Sequence, residues 1–336
     1  MTTAASTSAA GRATVAVAGL GYWGPNLARN FDELADVKWL CDADADRRAQ
    51  YAARFPRART TGDFDEVLAD PDLDAVAVAT PVVTHYELAK RALEARKHVF
   101  VEKPPAMTAA EAEDLCTTAE ERDLVVMPGH LLLYHPGVAK LKHLVDSGEL
   151  GDILYLYGNR QNLGQIRKDE NALWSLGVHD LSVILHLVDE EPSEAWARGE
   201  SFLRAGVEDI VFCYLRFPSG VVAHMHLSWL DPFKMRRMTV VGTKRMAVFD
   251  DMEPERKITV FEKAAHPPTD PQRDWTARSG AIYSPELSGG EPLAHECRHF
   301  LALVGGEGDR YAAGRDGVAV VRALEQLQHS LEQTPA

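Results

Sequence analysis

The stretch Thr14–Asn30 constrains the fold more than any other part of this chain. A continuous apolar run, Val15–Ala18, is typical of a strand buried on both faces. It leads into the pattern Gly-x-Gly-x-x-Gly at Gly19, Gly21 and Gly24, where the first glycine permits a tight turn, the second lets the backbone approach a pyrophosphate and the third allows close helix–strand packing. A helix that begins at a proline follows, and its N-terminal N–H groups favour an anion. The stretch therefore predicts a dinucleotide-binding turn.

The second predicted strand, Val37–Cys41, ends at Asp42, close to the ~20-residue spacing expected after the glycines. A carboxylate there accepts hydrogen bonds from the adenosine ribose hydroxyls and repels a 2′-phosphate, which favours NAD over NADP. The alternative is that Arg47 or Arg48 binds a 2′-phosphate, although arginines early on a helix usually form a solvated face. Comparing activity with the two cofactors separates these interpretations.

The length and composition of the chain limit which classes of function are plausible. The chain has 336 residues, enough for two domains, and its net charge of −14 disfavours nucleic acid and anionic membranes as partners. No apolar run approaches the ~20 residues of a membrane span, and residues 1–13 are expected to be a disordered tail rather than a signal peptide. The four scattered cysteines form no C-x-x-C pattern, so we expect no metal site and a cytoplasmic location.

Apolar strands alternate with helical segments through residues 14–130. Further strands are predicted at Ala75–Ala79, His98–Val101 and Leu124–Met127, and capping boxes at Thr84–Glu87 and Thr108–Glu111 open two of the helices. This alternation predicts an α/β domain with a doubly wound parallel sheet. Ligands of such sheets lie beyond the carboxyl ends of the strands, which is where Thr80, Pro81 and Lys103 fall.

Residues 131–336 are predicted to form a second, α+β domain with a mainly antiparallel sheet. One helix from Asn171 to about Val188 and two near Pro292–Val304 and Asp316–Gln333 accompany the strands, and Ala264–Glu291 is expected to be an irregular loop. An uncovered apolar sheet face needs a partner, so an oligomer is expected. The predicted strands are Ile153–Tyr157, Ile210–Phe217, Val221–Trp229, Met238–Val241, Met246–Phe249 and Ile258–Phe261.

Two side chains are candidates for acid–base chemistry. Lys103 follows a strand end and precedes two prolines, one of which is a candidate for a cis bond; its alternative is a surface lysine. His179, on the long helix of the second domain, takes up a proton near neutral pH, but a lone helical histidine is more often structural. Ser175 is four residues earlier and is expected on the same helix face. His224 and His226 alternate on a strand without a carboxylate or cysteine and are interpreted as packing or interface residues.

A polar segment precedes that helix. It contains Arg160, Asn162, Arg167 and Asn171, which either bind phosphate and sugar hydroxyls or form a solvated connection.

With these motifs, and above all Glu102-Lys103-Pro104 after the fourth strand, the chain resembles the Gfo/Idh/MocA oxidoreductases from about Thr14 to its C-terminus. The resemblance implies a Rossmann domain, an open-faced antiparallel sheet that joins dimers or tetramers, and hydride transfer between NAD(P) and a sugar, cyclitol or related polyol. It maps the family's lysine to Lys103 and its helical histidine to His179. The implied cofactor contacts are Gly19, Gly21, Tyr22, Trp23, Gly24, Asp42, Thr80, Pro81, His85, Glu102 and Lys103.

One position departs from the family pattern. Many members carry Asp four residues before the histidine, where this chain has Ser175, which shifts the expected acid–base role toward Lys103. The runs Gly129–Pro136, Asn159–Gly164 and Leu173–Ser175 resemble the branch that oxidises nucleotide-linked sugars, often at C3. The implied substrate contacts are Tyr134, Arg160, Asn162, Arg167, Asn171, Trp174, Ser175 and His179.

Three functions are therefore compared. The leading hypothesis is an NAD-dependent dehydrogenase of a ring hydroxyl on a nucleotide-linked sugar or aminosugar. The second is a dehydrogenase of a free cyclitol or polyol such as inositol or an inosamine, and the third is a non-catalytic NAD-binding regulatory protein.

Overall fold

The structure, a computed structural model, describes residues 12–164, 166–167, 170–270 and 272–333. The predicted disordered tail lies outside the described residues except for its last two positions. Contacts divide the chain into two units: the first comprises the chain up to Glu102 with Asp114–Pro128 and Glu296–Ala313, and the second comprises the remainder. The predicted domain boundary at residue 130 stays a prediction.

The first unit is built on a six-stranded parallel sheet, which confirms the predicted doubly wound α/β fold. The strand order is β3-β2-β1-β4-β5-β6. The strands are β1 (Thr14–Ala18), β2 (Asp36–Cys41), β3 (Arg59–Thr61), β4 (Ala75–Val78), β5 (His98–Glu102) and β6 (Val126–Gly129). The helices that alternate with them are α1 (Gly24–Leu34), α2 (Ala45–Arg54), α3 (Phe64–Leu68), α4 (His85–Glu94) and α5 (Ala109–Glu121).

Local sequence accounts for most of the helix starts in this unit. The Asp63 carboxylate accepts a hydrogen bond from the backbone N–H of Asp65 and caps α3. The predicted capping box at Thr108 is confirmed, because its hydroxyl oxygen accepts from the Glu111 N–H. The box predicted at Thr84 is wrong: the Thr84 hydroxyl donates to the Pro81 carbonyl and a short 3₁₀ turn precedes α4.

The second unit contains an eight-stranded sheet, mainly antiparallel as predicted. The strands are β7 (Ile153–Gln161), β8 (Glu194–Glu200), β9 (Ile210–Arg216), β10 (Val222–Ser228), β11 (Met235–Gly242), β12 (Met246–Asp250), β13 (Ile258–His266) and β14 (Thr276–Tyr283). They lie in the order β14-β13-β12-β11-β7-β10-β9-β8, and β7 and β10 pair in parallel. The remaining helices are α6 (Pro136–Asp146), α7 (Val178–Val188), α8 (Pro292–Val304) and α9 (Ala312–Glu332).

Three regions of the second unit differ from the sequence-based expectation. One is β8 (Glu194–Glu200), which was not among the predicted strands. The irregular loop predicted for Ala264–Glu291 is wrong, because β13 continues to His266 and β14 occupies Thr276–Tyr283. Every residue of β14 is exposed, and this edge strand is held by backbone pairing with β13. Its side chains therefore show no alternation of buried apolar and exposed polar residues that would predict a strand. The helix expected from Asn171 begins instead with a π turn at Leu173–Gly177 and becomes α-helical at Val178.

The large sheet has one buried face and one exposed face. Along β9, Val211 and Cys213 are buried while Phe212 between them is 47% exposed. On the exposed face Phe212 stacks on His226 at 4.5 Å between ring centroids. His224 stacks on Tyr157 at 4.9 Å in the same way. Both histidines therefore pack against aromatic rings.

Candidate dinucleotide and substrate sites

The glycine-rich turn joins β1 to α1. Gly19 has a φ of +94°, and a Cβ there would lie 2.5 Å from the Ala79 carbonyl oxygen. A Cβ on Gly24 would collide with the Gly19 carbonyl oxygen. A Cβ on Gly21, in contrast, would have only Arg47 Nη1 near it, at 3.8 Å. The outer two glycines therefore close the turn, and the middle one leaves its backbone open to a ligand, as a pyrophosphate requires.

Asp42 lies at the end of β2 beside this turn. Its carboxylate accepts hydrogen bonds from the backbone N–H of Leu20 at 2.6 Å and of Asp44 at 2.8 Å. Arg48 is engaged by the carbonyls of Asp42 and Ala43, whereas the half-exposed Arg47 comes within 3.8 Å of Asp42 Oδ2. A carboxylate fixed by two backbone donors next to an open glycine turn fits the adenosine ribose of NAD.

The other predicted cofactor contacts of the first unit cluster at the end of β4 and in the turn. His85 is buried, and its Nε2 lies 2.8 Å from the Thr80 carbonyl oxygen, while the Thr80 and Thr84 hydroxyl oxygens lie 2.7 Å apart. Pro81 precedes the 3₁₀ turn. Tyr22 is 92% exposed, and the buried indole nitrogen of Trp23 has no hydrogen-bond partner among the described residues.

Lys103 directly follows Glu102, the last residue of β5. The peptide bond between Lys103 and Pro104 is cis, the isomer considered for this segment. The carboxyl end of a parallel strand is where such sheets bind ligands. Lys103 therefore lies at the carboxyl end of β5.

Lys103 belongs to the second unit, and its charge lowers the pKa of two histidines of that unit. Burial lowers the pKa of His130 to about 4, and the positive charge of Lys103 adds to the effect. Burial also holds the pKa of His179 well below its usual range, helped by the charges of Lys103 and Arg160. Both imidazoles are thus neutral at pH 7 and able to accept a proton or a hydrogen bond.

His130 was missed as a site residue. It follows β6, is 4% exposed, and neither ring nitrogen has a hydrogen-bond partner in the described part of the chain. The signal available in the sequence was its position after the carboxyl end of a predicted strand, the same signal that selected Thr80 and Lys103.

Arg160 is buried and forms an ion pair beside His179. Its Nε and Nη2 donate to Asp180 Oδ1 at 2.9 and 2.7 Å. Asp180 therefore binds Arg160 rather than its sequence neighbour His179, and burial raises the pKa of its carboxyl. Because two guanidinium nitrogens are taken by Asp180, Arg160 is poorly placed to bind an anionic substrate and better placed to set the charge around His179.

Three of the predicted substrate contacts are engaged within the second unit. The Asn171 amide donates to Glu208 and to Gln328, and the Trp174 indole donates to the same Gln328 oxygen at 3.2 Å. The Ser175 hydroxyl accepts from the Trp229 indole at 3.1 Å. Their hydrogen bonds hold the π turn in place.

The remaining predicted substrate contacts are more accessible. The Arg167 side chain is 49% exposed and lies 3.5 Å from Glu170, and Asn162 is partly exposed with its backbone N–H bonded to Ser228. Tyr134 ends a short 3₁₀ turn and is also partly exposed. Arg167 is therefore the better-placed of the two predicted cations.

Among the described residues, no group of three or more His, Cys, Asp or Glu side chains is placed to hold a metal ion. In the same part of the chain, no helix combines the length and the apolar character needed to cross a membrane.

Comparison with known proteins relates both units to one family. Residues 13–130 match the NAD-binding Rossmann domain of the oxidoreductase family, and residues 138–248 match the GFO/IDH/MocA C-terminal domain. UDP-N-acetylglucosamine 3-dehydrogenase from Acidithiobacillus ferrooxidans is 27% identical over 94% of this chain and 96% of its own length. The solved structure of that protein, GnnA, superposes with a TM-score of 0.81 over 95% and 97% of the two chains at 26% identity.

Two other relatives are informative. GenD2 from gentamicin A biosynthesis, solved in complex with NAD, is 25% identical, with a TM-score of 0.81 over 99% of this chain and 98% of that one. The scyllo-inositol 2-dehydrogenase (NAD(+)) of Bacillus subtilis is 27% identical over 68% of this chain and 71% of its own length. With the open glycine turn and Asp42, these matches confirm the predicted family and the predicted cofactor: this chain belongs to the Gfo/Idh/MocA oxidoreductases and binds NAD.

Proposed function

We propose that this chain is an NAD-dependent dehydrogenase that oxidises a ring hydroxyl, at C3, of a nucleotide-linked sugar or aminosugar to a ketone. The observation that carries the proposal is the grouping of Lys103, which directly follows β5, with His130 and His179 within the second unit. A lysine in its neutral amine form, beside two neutral imidazoles, is suited to taking a proton from an alcohol. NAD, when bound, supplies the hydride acceptor.

Each side chain has a distinct part in the proposal. Lys103, as the neutral amine, takes the hydroxyl proton and becomes an ammonium, and His179 assists or orients the sugar. Burial, and then the charges of Lys103 and Arg160, hold the pKa of His179 well below its usual range, so that its imidazole stays neutral and ready to accept a proton. Arg167 binds the anionic part of the substrate.

The catalytic assignment is tested by Lys103→Ala and His179→Ala, measured through NADH absorbance. We expect Lys103→Ala to reduce turnover by roughly 10²- to 10⁴-fold, the usual contribution of a positioned acid–base group. The exposed Lys234 and His266 give matched controls, Lys234→Ala and His266→Ala. If both site variants fold and turn over like the wild type, the assignment is wrong.

The substrate class is tested by a panel that contains UDP-N-acetylglucosamine, N-acetylglucosamine and myo-inositol. A nucleotide-sugar enzyme oxidises the first far better than the other two, and Arg167→Ala raises its KM without affecting free sugars. The near-complete coverage of the UDP-N-acetylglucosamine 3-dehydrogenase supports this outcome.

The second candidate is a free cyclitol or polyol dehydrogenase, which the similarity to scyllo-inositol 2-dehydrogenase supports. It predicts turnover of myo-inositol and no effect of Arg167→Ala. Tight NAD binding with no reduction by any polyol would instead favour a non-catalytic NAD-binding protein.

A further inference from the structure

Arg236 is a cation of the second unit that no sequence pattern indicates. It is the second residue of β11 and pairs directly with Arg160 of β7, so the two side chains lie on the same face of the large sheet. The side chain of Arg160 is 8% exposed, whereas that of Arg236 is 42% exposed. Arg236 is therefore the member of this cross-strand pair that a ligand can reach.

A small cavity joins Arg236 to the helix that carries His179. Its lining includes the side chains of Arg236, Arg160 and Asp180. Arg160 donates two hydrogen bonds to Asp180 Oδ1, and Asp180 directly follows His179 at the start of α7. Burial, and then neighbouring charges that include Arg236, lower the pKa of His179. Arg236 thus lies on the side of the sheet that faces His179.

A second set of contacts joins Arg236 to the turn that carries Tyr134. A guanidinium nitrogen of Arg236, Nη1, lies 3.4 Å from Asp251 Oδ2, and Asp251 Oδ1 lies 3.6 Å from Nε2 of His135. His135 directly follows Tyr134, one of the predicted substrate contacts. Arg236 is therefore linked both to the turn of Tyr134 and to the start of α7, which carry predicted substrate residues.

The contacts of Arg236 leave most of its hydrogen-bonding capacity unused. A guanidinium has five N–H donors. In the part of the chain that the structure describes, Arg236 meets an acceptor only at Asp251, at the long distance of 3.4 Å. Asp251 also lies 3.6 Å from Lys257 Nζ, so it divides its charge between two cations. Arg236 is therefore only loosely held and keeps donors for a ligand.

We propose that Arg236 binds an anionic group of the substrate, a phosphate or a carboxylate, and so helps to determine specificity. A planar guanidinium with unused donors fits either group through two parallel hydrogen bonds. The chain has a net charge of −14, so an anionic substrate needs local cations of this kind. The inference rests on the proposed function, in which the substrate is a nucleotide-linked sugar, and adds a second cation to Arg167.

The test is binding affinity, measured by calorimetric titration of the full chain saturated with NADH, which cannot accept a hydride. The probes are UDP-N-acetylglucosamine, UDP-glucuronic acid, which adds a sugar carboxylate to the diphosphate, and uncharged N-acetylglucosamine. We expect Arg236→Gln to weaken binding of nucleotide sugar by on the order of tenfold or more, because a charge-assisted pair is lost. A loss on both nucleotide sugars identifies the diphosphate as the bound group, and a loss on UDP-glucuronic acid alone identifies the carboxylate.

Arg245→Gln is the matched control. Arg245 lies in the turn between β11 and β12 and forms ion pairs with Glu149 and Glu262 at 3.5 and 2.9 Å. Its replacement should change none of the affinities. Because partly exposed ion pairs contribute little to stability, we expect Arg236→Gln and Arg245→Gln to melt within a few degrees of the wild type.

The inference is overturned if Arg236→Gln binds both nucleotide sugars like the wild type, if it weakens N-acetylglucosamine binding equally, or if the wild type binds neither nucleotide sugar. Should Arg236→Gln not fold, Arg236→Lys decides: it keeps the charge but loses the planar fork, so its affinity should fall between those of the wild type and an uncharged variant, and unchanged affinity overturns the inference.

The proposed reaction is judged separately by NAD reduction. Nucleotide-sugar binding that depends on Arg236 without any reduction of NAD would contradict the reaction and support this inference. Oxidation of a nucleotide sugar with unchanged affinity in Arg236→Gln would support the reaction and overturn the inference.

Discussion

His130 is a residue whose environment is hard to reconcile with stability alone. A neutral imidazole has one donor and one acceptor, and here both are buried and unpaired within the described residues. Rules of local consistency in proteins are broken mainly at functional sites. His130 lies near Lys103 and His179, the two candidate acid–base residues, so a functional role can account for its unpaired ring nitrogens.

We predict that His130→Leu stabilises the folded chain, by about 1–3 kcal/mol at pH 7, because two unsatisfied polar groups are removed. The gain should be larger at pH 5. The pKa of His130 is about 4 in the folded protein and near 6.5 when unfolded. The wild type therefore keeps its full stability above pH 6.5 and loses stability as the pH falls toward 4, because the unfolded state takes up the proton first. Urea unfolding at both pH values measures this.

The exposed His266 provides the control for that experiment, and His266→Leu should show no comparable pH dependence. A His130→Leu variant less stable than the wild type at both pH values would identify His130 as a packing residue.

We expect Asp42 to set the choice between the two dinucleotides. We predict that Asp42→Asn weakens NAD binding and improves NADP binding, because it removes the repulsion of a 2′-phosphate and one of the two carboxylates near Arg47. The ratio of the two dissociation constants should change by on the order of tenfold or more. Titration of both reduced cofactors measures it, and Asp46→Asn on the exposed start of α2 is the control. An unchanged ratio would place cofactor selection elsewhere.

At the scale of secondary-structure elements, the β1–α1 turn separates a folding requirement from a binding requirement. Gly24 has no room for a side chain, whereas Gly21 does. We predict that Gly21→Ala melts within a few degrees of the wild type yet loses NADH affinity by tenfold or more, because its Cβ occupies the space of the pyrophosphate. Calorimetric melting and NADH titration measure the two effects.

Gly24→Ala is the matched comparison, and we expect it to lose stability because α1 can no longer pack on the turn. The interpretation fails if Gly21→Ala is as unstable as Gly24→Ala, or if it binds NADH normally.

The C-terminal part of the chain contributes to the first unit through α8. Phe300 packs edge-on against Phe31 of α1 and Phe100 of β5, both at about 6 Å. The helix therefore closes a layer over the parallel sheet although it is nearly 200 residues away in sequence from β5. Edge-to-face aromatic contacts of this kind add to the stabilisation from burial.

At the scale of the whole molecule, the exposed face of the large sheet presents aromatic surface whose exposure to water is unfavourable. Trp196 and Phe212 are 45% and 47% exposed and stack on Tyr214 and His226. Contiguous apolar patches of this kind mark interaction surfaces. The predicted homodimer or homotetramer through this face stays a prediction.

We predict that Phe212→Glu lowers the oligomeric state, because it would bury a carboxylate in an apolar contact. Light scattering after gel filtration measures the mass. Phe202→Glu, at an exposed position outside the strands, is the control and should not change it. A wild type that is already monomeric, or an unchanged Phe212→Glu, contradicts the prediction.

The sequence by itself determined the parallel sheet, the glycine turn, Asp42 and the position of Lys103 after a strand. Each depends on local rules: continuous apolar runs, a backbone that requires glycine, and the fixed relation between strand ends and ligands. Only the tertiary structure decided that His130 and His179 lie near enough to Lys103 for its charge to act on both, and that Arg160 is held by Asp180. Those relations join residues far apart in the chain, so no local pattern encodes them. The exposed strand β14 was decided in the same way, because backbone pairing to a neighbouring strand leaves no mark on side-chain polarity.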